Sequence, residues 1–72
     1  MPTLRDLRLR HYLTQQELAD QAHVARSTVT AIEQGLQRPR IPTARALARA
    51  LGVDPNTIDW PAAPPGNDDR VS

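Results

Sequence analysis

The chain has 72 residues, enough for a single domain whose core is only just large enough to hold a fold without help. It contains no cysteine, which excludes disulfides and thiolate zinc sites, and its two histidines lack any matching ligand spacing, so neither a metal nor another cofactor is expected. The net charge of +1 hides an uneven distribution: residues 1–60 hold eight arginines against six acids, whereas the last twelve set Arg70 against Asp68 and Asp69.

Apolar positions recur at helical spacing and nowhere show the strict alternation of a half-buried strand, so the expected fold is all-α. Met1 to Leu13 includes Asp6 and lacks both a continuous apolar core and a small-residue cleavage site, so it does not read as a targeting peptide, and the expected location is cytoplasmic. Within that stretch Thr3 caps a first helix, Leu4 and Leu7 share its inner face, and the helix ends near His11 or Tyr12. Thr14 opens a second helix and Glu17, three residues later, completes a capping box, with Leu18, Ala19 and Ala22 facing inward. His23-Val24-Ala25 interrupts the pattern. A third helix follows from Arg26 to Gln34, with Val29 and Ile32 inward and Gly35 as the stop. Pro39 and Pro42 bracket the next connection, and Ala44, Leu47, Ala48 and Leu51 mark a fourth helix ended by Gly52. The nearly apolar run around Ala44 to Val53 is broken by Arg45 and Arg49, so it does not span a bilayer. Asp54 before Pro55 pairs a cap with a first-turn proline and predicts a fifth, very short helix over Asn56 to Trp60. The expected domain is therefore 1–60, followed by a disordered tail over 61–72.

Several runs together resemble the helix-turn-helix family of phage repressors and Cro proteins: Leu13-Thr14-Gln15 with Glu17-Leu18-Ala19, Arg26-Ser27-Thr28-Val29, Ile32-Glu33 with Gly35, Arg38 to Ile41, and Ala50-Leu51-Gly52-Val53. The resemblance covers about residues 3–60 and implies a five-helix, lambda-repressor-like DNA-binding domain, with its helix-turn-helix at about Thr14 to Gln34. In that family the first helix of the pair straddles the backbone and the second enters a major groove about 12 Å wide. Matching positions make Arg26, Ser27 and Thr30 the base-contacting residues, with Arg26 the bidentate partner of guanine. They make Gln15, Thr28, Arg38 and Arg40 phosphate contacts, and Arg8 with Glu33 an ion pair between the first and third helices. Pro55, Ile58 and Trp60, near the end of a domain with no separate oligomerisation region, are the expected homodimer surface.

Three departures from the family pattern carry a cost. Tyr12 and His23 stand where the family often has glycine, and a left-handed backbone there costs a non-glycine residue about 1–2 kcal/mol. Ala25 replaces a frequent Ser or Thr cap, a loss of about 0.5–2 kcal/mol.

The expected function is sequence-specific binding of double-stranded DNA as a homodimeric transcriptional regulator. A repressor is favoured because no activating or ligand-sensing segment is legible. An enzyme is disfavoured, since no nucleophile with a base, metal cluster or phosphate loop can be read. Two other readings remain open: an antitoxin that holds a toxin through the same fold, and a protein-interaction module.

Overall fold

The structure, a computed structural model, describes residues 1–62, so the expected tail lies outside the described residues from position 63 onward. Four α-helices follow one another: α1 (Leu4–Arg10), α2 (Gln15–Ala22), α3 (Arg26–Glu33) and α4 (Ile41–Leu51). The expected fifth helix is only a single 3-10 turn, Pro55–Thr57. Asp54 and Pro55 start it as anticipated, but Ile58 already has extended dihedrals. Asp59 instead donates its backbone N–H to the Pro2 carbonyl at 2.8 Å and bridges to Thr3. Holding the chain start satisfies backbone groups that another helical turn would have paired internally.

Local signals set the helix starts. The Thr3 hydroxyl accepts the Asp6 N–H at 3.1 Å while Asp6 Oδ2 accepts the Thr3 N–H, also at 3.1 Å. Thr14 and Glu17 form the same reciprocal box at 3.0 and 2.9 Å. Each satisfies donors that a helix start leaves orphaned. α3 follows the N-cap residue Ala25, whose side chain makes no capping hydrogen bond.

The four helices end alike. After each, a residue with positive φ turns the chain: Tyr12 (57°), His23 (59°), Gly35 (76°) and Gly52 (71°). The next N–H then reaches back five residues, from Leu13 to Arg8, Val24 to Ala19, Leu36 to Ala31 and Val53 to Ala48. This is the hydrogen-bonding of a Schellman motif, with two of the four turns made by side chains that strain there.

The helical stripes converge on one core. Leu4 and Leu7 from α1, Leu18, Ala19 and Ala22 from α2, Val29 and Ile32 from α3, and Leu47, Ala48 and Leu51 from α4 are all buried. α2 packs most extensively against α3 and α4, and α1 rests on α3. Alanine on the inner face of α2 permits that close approach, because a larger side chain would push the helices apart. Among the described residues no helix is long and apolar enough to cross a membrane. No group of three or more metal-ligating residues is placed to hold an ion among them either.

Candidate nucleic-acid interface

The tight turn His23–Ala25 joins α2 to α3 and leaves the start of α3 at the surface. With 3.6 residues per turn, Val29 and Ile32 face the core while Arg26 and Ser27 stay exposed and Thr30 is half-buried. Gln34 is also exposed, four residues beyond Thr30, and extends that polar face by a turn. In the sequence, only its i+4 spacing from Thr30 marks Gln34 as part of this face.

The same periodicity overturns one assignment. Thr28 lies on the buried side of α3, with only 2% of its surface exposed, so as folded it presents nothing to a phosphate. It adjoins Val29 in sequence and precedes Ile32 by four residues, which places it beside the core stripe rather than opposite it.

A hydrogen-bonded chain beneath this face connects three helices. Arg8 on α1 donates from Nε to Glu33 Oε2 at 2.6 Å and from Nη2 to Oε1 at 2.9 Å, while its Nη1 reaches the Leu13 carbonyl at 2.8 Å. The two side chains are only 11% and 4% exposed. Gln15 on α2 donates to Glu33 Oε1 at 3.1 Å, and its carbonyl accepts the Thr30 hydroxyl at 2.9 Å. The Arg8–Glu33 pair thus also orients Gln15 and Thr30, a phosphate candidate and a base candidate. Gln15 keeps a second amide hydrogen for a ligand. Thr30 has given its only hydroxyl hydrogen to Gln15, leaving the oxygen as an acceptor and its methyl for a base edge.

Nearby carboxylates are already engaged. Glu17 is in its capping box, and Asp20 accepts from Gln16 at 2.9 Å. Asp6, at the far end of α1, is held below the usual carboxylate range. Its hydrogen bond from the Thr3 backbone is the main cause, followed by the Thr3 hydroxyl and then by Arg10 and Arg5.

The remaining candidates gather elsewhere. Gln15 and Arg26 share an open depression at the α1–α2–α3 junction. Arg38 and Arg40, on the connection into α4, instead border a broad groove with Ile41, Pro42, Pro55 and Trp60. Ile58 lines the floor of that groove but is 2% exposed and belongs to the core, so it offers little side-chain surface to a second copy. The absence of a fifth helix explains this: the extended chain after Thr57 turns Ile58 inward. Trp60 is half-buried, its indole N–H donating to the Pro55 carbonyl at 3.0 Å, so Pro55 and Trp60 remain available in part.

Comparison with known proteins places this arrangement. The Helix-turn-helix family matches residues 4–58. The cryptic phage CTXphi transcriptional repressor RstR of Vibrio cholerae is 40% identical over 50 residues, which cover 69% of this chain and 45% of that one. The chain therefore spans less than half the length of that relative. An uncharacterised HTH-type transcriptional regulator of Methanothermobacter thermautotrophicus is 43% identical over 49 residues, covering 68% of this chain and 71% of the other. No solved structure matches the chain. With capped α2, a three-residue turn and an exposed polar edge on α3, the chain belongs to the helix-turn-helix family of phage-repressor and Cro-like transcriptional regulators.

Proposed function

We propose that the chain binds specific double-stranded DNA through α3, and that it acts as a homodimeric repressor on a near-palindromic operator. The observation that carries this reading is the polar face of α3, with Arg26 and Ser27 exposed and half-buried Thr30 hydrogen-bonded to Gln15, which Glu33 holds from behind. A guanidinium at the first position of α3 suits bidentate pairing with guanine, and Ser27 and Thr30 read adjacent base edges less selectively. Gln15 at the start of α2 is the phosphate clamp, with Arg38 and Arg40 as further backbone contacts.

Two features favour repression by a homodimer. A relative described as a transcriptional repressor aligns over most of this chain, and a DNA-bound domain represses by occupying the site. Pro55 and Trp60 lie beside exposed Ile41 in one groove, apolar surface that a second copy would cover. A two-fold dimer sets two α3 helices about 34 Å apart, one turn of DNA, and hence requires a near-palindrome.

Selection of bound duplexes from a random library identifies the operator, and the variants are then compared on cognate and scrambled DNA across a salt series. Arg26→Ala should lose about 1–3 kcal/mol on the cognate site and relax one base per half-site, with little change on scrambled DNA. Arg38→Ala and Arg40→Ala should weaken both duplexes by similar factors and flatten the salt dependence, because a lost phosphate contact releases fewer counterions. Equal loss on both duplexes for Arg26→Ala would make it a backbone contact and remove the proposed reader.

A further inference from the structure

We infer that Tyr12, in the turn between α1 and α2, is a further DNA-contact residue, whose phenol donates a hydrogen bond to a phosphate passing the start of α2. The inference rests on the DNA-binding reading above and adds a residue that the family's usual glycine at this position could not supply.

Three observations lead there. Tyr12 sits at φ 57°, a conformation that glycine adopts freely and a tyrosine only under strain. Its side chain does not repay that strain within the fold, because the residue is 94% exposed and no described residue pairs with its hydroxyl. Its position is not arbitrary either: Tyr12 borders the same open depression as Leu9, Thr14, Gln15, Gln16 and Arg26, so it shares a surface with both the proposed base reader and the proposed phosphate clamp.

The chemistry selects the phosphate. A duplex keeps its bases stacked, so it offers the phenol ring no base face, whereas its backbone offers acceptor oxygens, for which a tyrosine hydroxyl is a suitable donor. The turn holding Tyr12 leads directly into α2, the helix that lies across the backbone when α3 is in the groove. A hydroxyl contact there is blind to base sequence and carries no charge.

The test uses Tyr12→Phe, which keeps the ring and the backbone strain, and Tyr12→Gly, which removes both. Each should weaken cognate and scrambled duplexes by a similar factor of about three to ten, the worth of one hydrogen bond. The slope against salt should not change, since no counterion release is lost. Tyr12→Gly should nevertheless melt at or above the wild-type temperature, which separates loss of contact from loss of fold. Tyr12 is also the single tyrosine, so its nitration, followed by nitrophenol absorbance, should slow when duplex is bound. Wild-type affinity for Tyr12→Phe, or an unchanged nitration rate, would overturn the inference, even where Arg26→Ala confirms the reading of DNA. A wild-type protein that selects no duplex would overturn both.

Discussion

Replacing Glu33 by glutamine should destabilise the domain more than any other change of a single atom type near the surface. The carboxylate accepts three hydrogen bonds, two from Arg8 and one from Gln15, and its side chain is 4% exposed. An amide keeps the shape but has one acceptor oxygen. If its NH2 takes the Oε2 position it meets Arg8 Nε, donor against donor; if it takes the Oε1 position it meets both Arg8 Nη2 and Gln15. Either way the nearly buried Arg8 guanidinium loses its counter-charge. Breaking one partner of a buried pair costs about 3–5 kcal/mol, and each kcal/mol lowers the melting temperature of so small a domain by about 4–8 °C. Thermal denaturation followed by circular dichroism should therefore show a fall of at least about 12 °C. Replacing both partners with apolar residues, Arg8→Met with Glu33→Leu, should recover much of the loss, because no unpaired charge remains. A Glu33→Gln variant that melts at the wild-type temperature would show that the pair does not hold α1 to α3.

Ala25→Ser should stabilise the domain by about 0.5–2 kcal/mol, measured by denaturant melts, since α3 has no side-chain cap now. For Asp6 the folded carboxyl lies below its ordinary value, so its contribution is full above the usual carboxylate range and fades as pH falls through that range to the lowered value. Melting temperatures of wild type and Asp6→Asn should accordingly differ at neutral pH and converge in acid. Ile58→Ala should cost about 2–5 kcal/mol of fold stability, as expected for a core residue. Trp60→Ala should instead weaken self-association on DNA, read by sedimentation of the complex.

Most helix starts and stops were legible because they are local events; α4 is the exception, starting at Ile41 with Pro42 in its first turn, where proline's missing N–H costs nothing, rather than beyond Pro42. Thr14 and Glu17 meet within one turn whatever the rest of the chain does, and Gly35 and Gly52 are the residues that tolerate the left-handed turns the helix ends require. Tyr12 and His23 were legible only as departures from a pattern, and the structure places both in that strained conformation. The Arg8–Glu33 pair, 25 residues apart, was anticipated through resemblance, since no local spacing connects those positions.

What the sequence determined by itself is the four α-helices, their inner faces and the polar edge at the start of α3, all consequences of period and local end signals, but not a fifth helix, which shrinks to one 3-10 turn. Only the tertiary structure decided which borderline residues go inward. Thr28 is small enough to fit beside the core stripe, and Ile58 is drawn in when the chain after Thr57 extends to hold the N-terminal segment. It also decided that Gln15 and Thr30 are hydrogen-bonded to each other beneath the interface. Those outcomes depend on contacts between segments far apart in sequence, where packing and the satisfaction of buried polar groups outweigh local preference.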